Sequence, residues 1–161
     1  MPHVYYSEHM LVKDVMTSKV KSILSTTPYK EIWLTSFHSH TNALPVVDAK
    51  GTLVGLVTRD DLLRPIYPQY QEVFESIESV SDFEEMEDRM KELAGLKAVD
   101  VMQSHVIFTR HTTLVMRALS RMIVRRVNQL PVLNEKDSVI GIVTKGDIFL
   151  ALFQKNFKKK S

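Results

Sequence analysis

The chain contains no cysteine. Disulfides, thiolate metal sites and a cysteine nucleophile are thereby excluded, and the composition fits a reducing, cytoplasmic setting. No apolar run approaches the roughly 18 residues of a membrane span. The start, Met1-Pro2-His3-Val4-Tyr5-Tyr6-Ser7-Glu8, has no basic region followed by an apolar stretch, so no signal peptide is expected. Charge of one sign is scarce: 21 Lys+Arg against 19 Asp+Glu leave a net charge of +2, too little to argue for a nucleic-acid partner. There is no phosphate-binding Walker loop and no Ser-His-Asp constellation. Asp60-Asp61 is the one candidate carboxylate pair, and adjacent residues on a helix point apart. His38 and His40 flank Ser39 and would not share a helical face, and His105 and His111 are isolated. No metal, no cofactor and no enzymatic activity are expected.

What is present is a duplication. Gly55-Leu56-Val57-Thr58-Arg59-Asp60-Asp61 is matched by Gly141-Ile142-Val143-Thr144-Lys145-Gly146-Asp147. Carried outward at the same offset, Asp14-Val15-Met16 meets Asp100-Val101-Met102, and Asn42-Ala43-Leu44-Pro45-Val46 meets Asn128-Gln129-Leu130-Pro131-Val132. From Asp14–Leu63 against Asp100–Phe149, 16 of 50 positions are identical without a gap. Chance would supply about three, at roughly one identity in twenty. The chain is therefore read as two similar units. With 161 residues, 44% of them hydrophobic, it has the make-up of a soluble globular protein. A unit of about 50–60 residues buries only ~60% of its chain surface, so the two are expected to share a core.

The pattern predicts the same elements twice. Val12–Met16 reads as a helical turn with Asp14 near its start. Val20–Ile23 and Val106–Phe108 are the first strands. Thr26-Thr27-Pro28 predicts a helix start with a hydroxyl cap and proline in the first turn. Tyr29, Ile32, Trp33 and Phe37 then share a face, and Val115, Ala118, Leu119 and Met122 form the matching stripe. Leu44–Val47 and Leu53–Val57 flank the turn Asp48-Ala49-Lys50-Gly51, as Leu130–Leu133 and Val139–Val143 flank Asn134-Glu135-Lys136-Asp137. A helix starts at Asp60-Asp61, includes Leu62 and Leu63, and is ended by Pro65 and Pro68. Between the copies, Gln71–Glu92 carries nine acidic and two basic residues, with Val73, Phe74, Ile77 and Val80 at helical spacing. It reads as an acidic helical insertion with a solvated surface. Lys155, Lys158, Lys159 and Lys160 read as a solvated tail.

The chemistry sits at the ends of the copies. A carboxylate can accept from both hydroxyls of a ribose. Asp61 and Asp147, at helix starts where the backbone is electropositive, are placed to do so. Thr58 and Thr144, one turn earlier, can donate to phosphate. Gly55 and Gly141 allow close packing. The competing reading makes each Thr and Asp a helix cap with no ligand.

The D-V-M, L-P-V and G-h-V-T-x-x-D motifs, in this order in both halves, resemble a tandem pair of CBS domains, a Bateman module. The resemblance covers nearly the whole chain outside residues 65–95 and the termini. It implies an α+β fold of two repeats, each strand-helix-strand-strand-helix, related by a pseudo-two-fold axis. The domains would be residues 8–66 and 95–155, with an insertion at 67–94 and a basic tail at 156–161. It also implies a regulatory, non-catalytic module that binds an adenosine-containing ligand in the cleft between the repeats. An adenine nucleotide (AMP, ADP or ATP) is the first expectation. S-adenosylmethionine or a ligand-free scaffold are the alternatives. A homodimer and a regulated effector protein of unknown identity are the implied partners. One pocket would join Thr58 and Asp61 to Val106, Ile107, Asn128, Gln129 and Pro131. The other would join Thr144 and Asp147 to Val20, Lys21, Asn42, Ala43 and Pro45. A carboxylate beside phosphate is repulsive, so cations must offset it. Arg59 and Lys145 match in charge, whereas Lys21 corresponds to Ile107, His40 to Arg126 and Ser39 to Arg125. The pockets are therefore unequal, and Asp147, whose pocket includes Lys21, is the preferred ligand carboxylate.

Overall fold

The elements repeat in the order strand, helix, two hairpin strands and helix, as the sequence predicts, in a computed structural model that describes residues 9–39, 42–66 and 81–157. In chain order they are α1 (Val12–Val15), β1 (Thr17–Ser18), β2 (Ile23–Leu24), α2 (Tyr29–His38), β3 (Ala43–Val47), β4 (Leu53–Thr58) and α3 (Arg59–Leu63). Then come α4 (Ser81–Leu93), α5 (Ala98–Val101), β5 (Thr109–Arg110), α6 (Val115–Arg125), β6 (Gln129–Leu133), β7 (Val139–Thr144) and α7 (Lys145–Phe157). The chain forms two units.

The first unit takes residues 21–106. Its sheet runs β2-β3-β4, with β2 parallel and β4 antiparallel to β3. The parallel step needs a crossover, which α2 supplies. The antiparallel step is a hairpin. At its turn Asp48 Oδ1 accepts from the amides of Lys50 and Thr52, both at 2.9 Å. Gly51 takes φ +82°, a left-handed conformation that suits glycine. Ile23, Tyr29, Ile32, Leu44, Val46, Val57, Leu62 and Ala98 form the core. Each fully buried aliphatic side chain in it contributes roughly 1.5–3 kcal/mol. The Tyr29 hydroxyl donates to the Leu62 carbonyl, and burial raises its pKa above the usual phenol value.

The second unit takes residues 107–157 together with 9–20. Its sheet runs β1-β7-β6-β5, again with a parallel β5–β6 step and a β6–β7 hairpin. Asn134 Oδ1 occupies the place of Asp48, accepting from Lys136 at 2.9 Å and Ser138 at 3.0 Å. Val115, Ala118, Leu119 and Met122 are all buried, and join Val12, Leu130, Val132, Val143 and Ile148 in the core. Helix α6 ends at Arg126, whose φ of 56° turns the chain away.

Each unit thus draws one segment from the other sequence copy. Val12 N donates to Thr113 O (2.8 Å) and Val115 N to Met10 O (2.9 Å). The equivalents 86 positions away are Ala98 N to Thr27 O and Tyr29 N to Leu96 O, both 2.9 Å. The segment just after α1 or α5 then meets the hairpin strand. Thr17 pairs with Ile142 in β1–β7, and Gln103 pairs with Leu56 as a single antiparallel bridge. The three strands common to both sheets follow the same order, and β1 adds a fourth to the second.

Four expectations need correction. The first strands are not Val20–Ile23 and Val106–Phe108 but Ile23–Leu24 and Thr109–Arg110. Their positions are set by parallel pairing with Val46-Val47 and Val132-Leu133. Thr26 and Thr27 do not cap α2. The residue before it is Pro28, with no side-chain cap, while Thr27 Oγ1 accepts from Leu24 N (3.0 Å) in the preceding turn. Phe37 is not buried: it is 68% exposed, and Ser36 takes the inward position with Tyr29 and Ile32. Lys155 is exposed in the last turn of α7 rather than in a tail. Pro65 follows α3, whereas Pro68, Val73, Phe74, Ile77, Val80, Lys158, Lys159 and Lys160 lie outside the described residues.

Candidate functional site

Both Thr-x-x-Asp motifs form capping boxes at a strand-to-helix junction. In the first unit Thr58 leaves β4 with extended backbone and caps α3. Its amide donates to Asp61 Oδ2 (2.9 Å), and the Asp61 amide donates back to Thr58 Oγ1 (3.3 Å). In the second unit the Thr144 amide donates to Asp147 Oδ2 (2.8 Å), and the Asp147 amide donates to Thr144 Oγ1 (3.0 Å). The three-residue spacing accounts for this locally, since an acceptor at the third helical position reaches back to the cap amide. Capping is therefore real in both copies and leaves one carboxylate oxygen available in each.

The two boxes differ in what takes that oxygen. Asp61 is buried, and Gln103 Nε2 donates to both its oxygens, at 3.1 Å (Oδ1) and 2.9 Å (Oδ2). The Thr58 hydroxyl also gives its proton to Asp61 Oδ2 (2.7 Å). Arg64 Nη2 stands 3.8 Å from Oδ1. Asp147 is half-buried, and among the described residues its carboxylate accepts from the Thr144 amide alone. The hydroxyl proton of Thr144 likewise has no acceptor among them. Asp147 and Thr144 together thus offer one free carboxylate oxygen and one free hydroxyl donor. Asp60 is exposed while its neighbour Asp61 is buried.

The remaining predicted residues fall as follows. Ala43 lies opposite Thr58 in the β3–β4 ladder, and Gln129 opposite Thr144 in β6–β7. Arg59 N donates to Asn42 O (3.2 Å) and Lys145 N to Asn128 O (3.0 Å), so the Asn residues anchor the starts of α3 and α7. Pro45 and Pro131 sit opposite Leu56 and Ile142. Their missing N–H is tolerated because β2 and β5 pair only with the two residues that follow each proline. Arg59 Nη2 donates to Ser36 O (3.1 Å), and its Cζ lies 5.7 Å from the Phe37 ring centroid. Lys145 is half-buried. Lys21 is exposed just before β2, and Val20 is half-buried. Val106 and Ile107 are half-buried just before β5. The structure brings Thr58, Asp61, Arg59, Asn42, Ala43 and Pro45 together in the first unit. In the second it gathers Thr144, Asp147, Lys145, Asn128, Gln129 and Pro131.

The glycines have a partner other than a ligand. A Cβ on Gly55 would stand 2.3 Å from Met102 Sδ and 3.2 Å from the Gln103 carbonyl, and one on Gly141 2.6 Å from the Thr17 carbonyl. The methionine of each D-V-M motif and the residue after it pass over the bare strand at this point. Sequence reasoning did not single out Gln103, the residue that reaches Asp61. The signal was a single difference inside a repeated block, where Asp14-Val15-Met16-Thr17-Ser18 becomes Asp100-Val101-Met102-Gln103-Ser104. No group of three or more metal-capable side chains occurs among the described residues, and none of their helices is long and apolar enough to cross a membrane.

Comparison with known proteins places this fold. The CBS domain family model matches residues 12–67 and 98–154. A CBS domain-containing protein of Dictyostelium discoideum is 32% identical over 145 residues, covering 86% of this chain and 88% of that protein. The structure of CBSX2 in complex with AMP, a protein of Arabidopsis thaliana, superposes with a TM-score of 0.68 at 24% identity, over 91% of this chain and 98% of that one. The CBS domain pair of protein MJ0100, in complex with 5′-methylthioadenosine and S-adenosyl-L-methionine, superposes at 0.67 and 22% identity, over 91% and 98%.

Proposed function

The chain belongs to the CBS domain family, and we propose that it is a non-catalytic regulatory module that senses an adenine nucleotide. The observation that carries the proposal is the Thr144–Asp147 box. It offers a free carboxylate oxygen for ribose hydroxyls beside a free hydroxyl donor for phosphate, at the first turn of a 13-residue helix. Lys145, half-buried in the same turn, supplies the cation that a phosphate beside a carboxylate requires. AMP in CBSX2 and S-adenosyl-L-methionine in MJ0100 share the adenosine that such a box reads. A ligand that binds one arrangement of the protein better shifts the population toward it, and that shift is the regulatory output.

Calorimetry with AMP, ADP, ATP, S-adenosylmethionine and free adenine tests the reading. AMP should bind clearly tighter than adenine. Asp147→Asn keeps the cap, because Asn caps about as well as Asp. It should weaken nucleotide binding by about 1.5–3 kcal/mol, the range for hydrogen bonds to a charged group. Equal affinity for AMP and adenine would refute a ribose- and phosphate-reading site.

Self-association into a homodimer is part of the proposal. It is supported by the apolar run on α7, where Phe149, Leu150, Phe153 and Phe157 are 45%, 58%, 57% and 73% exposed. Sedimentation of Phe153→Asp should show a shift toward monomer. An unchanged sedimentation coefficient would remove α7 from the interface.

A further inference from the structure

We propose that Gln103 is a built-in competitor that holds the Asp61 box closed, so that the chain carries one high-affinity nucleotide box rather than two. The proposal rests on the adenosine-ligand reading above. Its basis is what Gln103 does to the group meant to read the ribose. One amide nitrogen donates to both carboxylate oxygens of Asp61, at 3.1 and 2.9 Å, which is the bidentate role two ribose hydroxyls would otherwise fill. The Thr58 hydroxyl, whose counterpart Thr144 keeps its proton free, is spent on the same carboxylate at 2.7 Å. Asp61 is left with 5% relative exposure.

Gln103 is held in place by backbone, not by chance. Its amide and carbonyl pair with Leu56 at 2.9 and 3.0 Å, on a strand that Gly55 keeps bare. The equivalent residue, Thr17, pairs with Ile142 in the same way, but its short side chain makes no hydrogen bond to Asp147. The two boxes therefore differ at one position that can be exchanged. Gln103 is itself exposed, so a ligand can displace it, at the loss of hydrogen bonds to a charged group. That loss corresponds to roughly ten- to hundredfold in affinity.

Reciprocal exchange tests this. Gln103→Thr should add a second nucleotide site per chain, or strengthen a weak one by roughly tenfold or more, and the gain should vanish in Gln103→Thr/Asp61→Asn. Thr17→Gln should weaken the original site by a similar factor. Gln103→Thr takes hydrogen bonds from the buried Asp61 carboxylate, so its melting temperature without ligand should fall under either reading, whereas a purely structural role for Gln103 would leave the site count and affinity alone. If wild-type binding is lost in Asp61→Asn and kept in Asp147→Asn, the inference is overturned while the nucleotide reading stands. An unchanged stoichiometry and affinity in Gln103→Thr overturns the inference as well. Absence of nucleotide binding by wild type, Gln103→Thr and Thr17→Gln alike overturns the underlying reading and the inference with it.

Discussion

Thr109 is 1% exposed on β5, paired with Val132, and its hydroxyl oxygen is buried without a hydrogen-bond partner among the described residues. The equivalent position in the first unit is Ile23, a core residue. Thr109→Val changes the hydroxyl to a methyl with little change of shape. It removes a desolvation penalty of about 1–3 kcal/mol for an unsatisfied buried polar group. It adds roughly 0.8 kcal/mol for one more buried methyl. Since the flanking strand is short and its end can relax, we expect a net gain of about 1–3 kcal/mol, or roughly 3–8 °C in melting temperature for a chain of this size. Urea unfolding should move the midpoint upward at constant m-value. The mirror substitution, Ile23→Thr, should destabilise the first unit by a comparable or larger amount. If Thr109→Val lowers the midpoint, the hydroxyl has a partner and the accounting is wrong.

Gly141→Ala should destabilise the second unit by about 1–3 kcal/mol, the usual cost of overpacking. Its Cβ would meet the Thr17 backbone at 2.6 Å, whereas at Gly55 the nearest atom is the pliable Met102 side chain. Gly55→Ala should therefore be the milder change, and thermal melts that rank them the other way would refute this. Val12→Ala should cost about 2 kcal/mol, from two lost buried carbons at roughly 0.8 kcal/mol each plus a cavity. Hydrogen exchange should show that loss in α6 and β6, because Val12 packs in their core, and an effect confined to β3 and β4 would contradict the exchange of segments. The Asp48 carboxyl is held below its usual pKa, chiefly by the Thr52 amide. A depressed folded-state pKa stabilises above the unfolded value of about 4 and is lost as pH falls through the lower folded value. Asp48→Asn, which copies Asn134 in the other hairpin, should therefore lose less unfolding free energy than wild type as pH falls from about 5 through the folded-state pKa of Asp48. Equal acid sensitivity would show that Asp48 is not linked to folding.

The duplication, the hairpins, the α6 stripe and the two Thr-x-x-Asp boxes were legible in the amino-acid sequence by itself. Each rests on spacing within a few residues: an i to i+3 cap, a 3.6-residue period, a turn between β-rich runs. That locality also explains what was missed. Ser36, seven positions after Tyr29, turns inward, and Phe37 stays outside the core with the Arg59 guanidinium against its ring, a contact from 22 positions away. The first strands start late because a parallel ladder takes its register from a strand about twenty residues further on. Val12 and Ala98 complete cores built mainly by the other sequence copy, which no repeat alignment can reveal, since the alignment is identical whether or not the segments are exchanged. The occupancy of Asp61 was decided in the same way. The contact with Gln103 spans 42 positions and depends on the closeness that Gly55 permits between Met102-Gln103 and β4. Local chemistry wrote two equivalent carboxylates into the chain, and only the tertiary approach of a distant side chain gave one of them a donor at both oxygens.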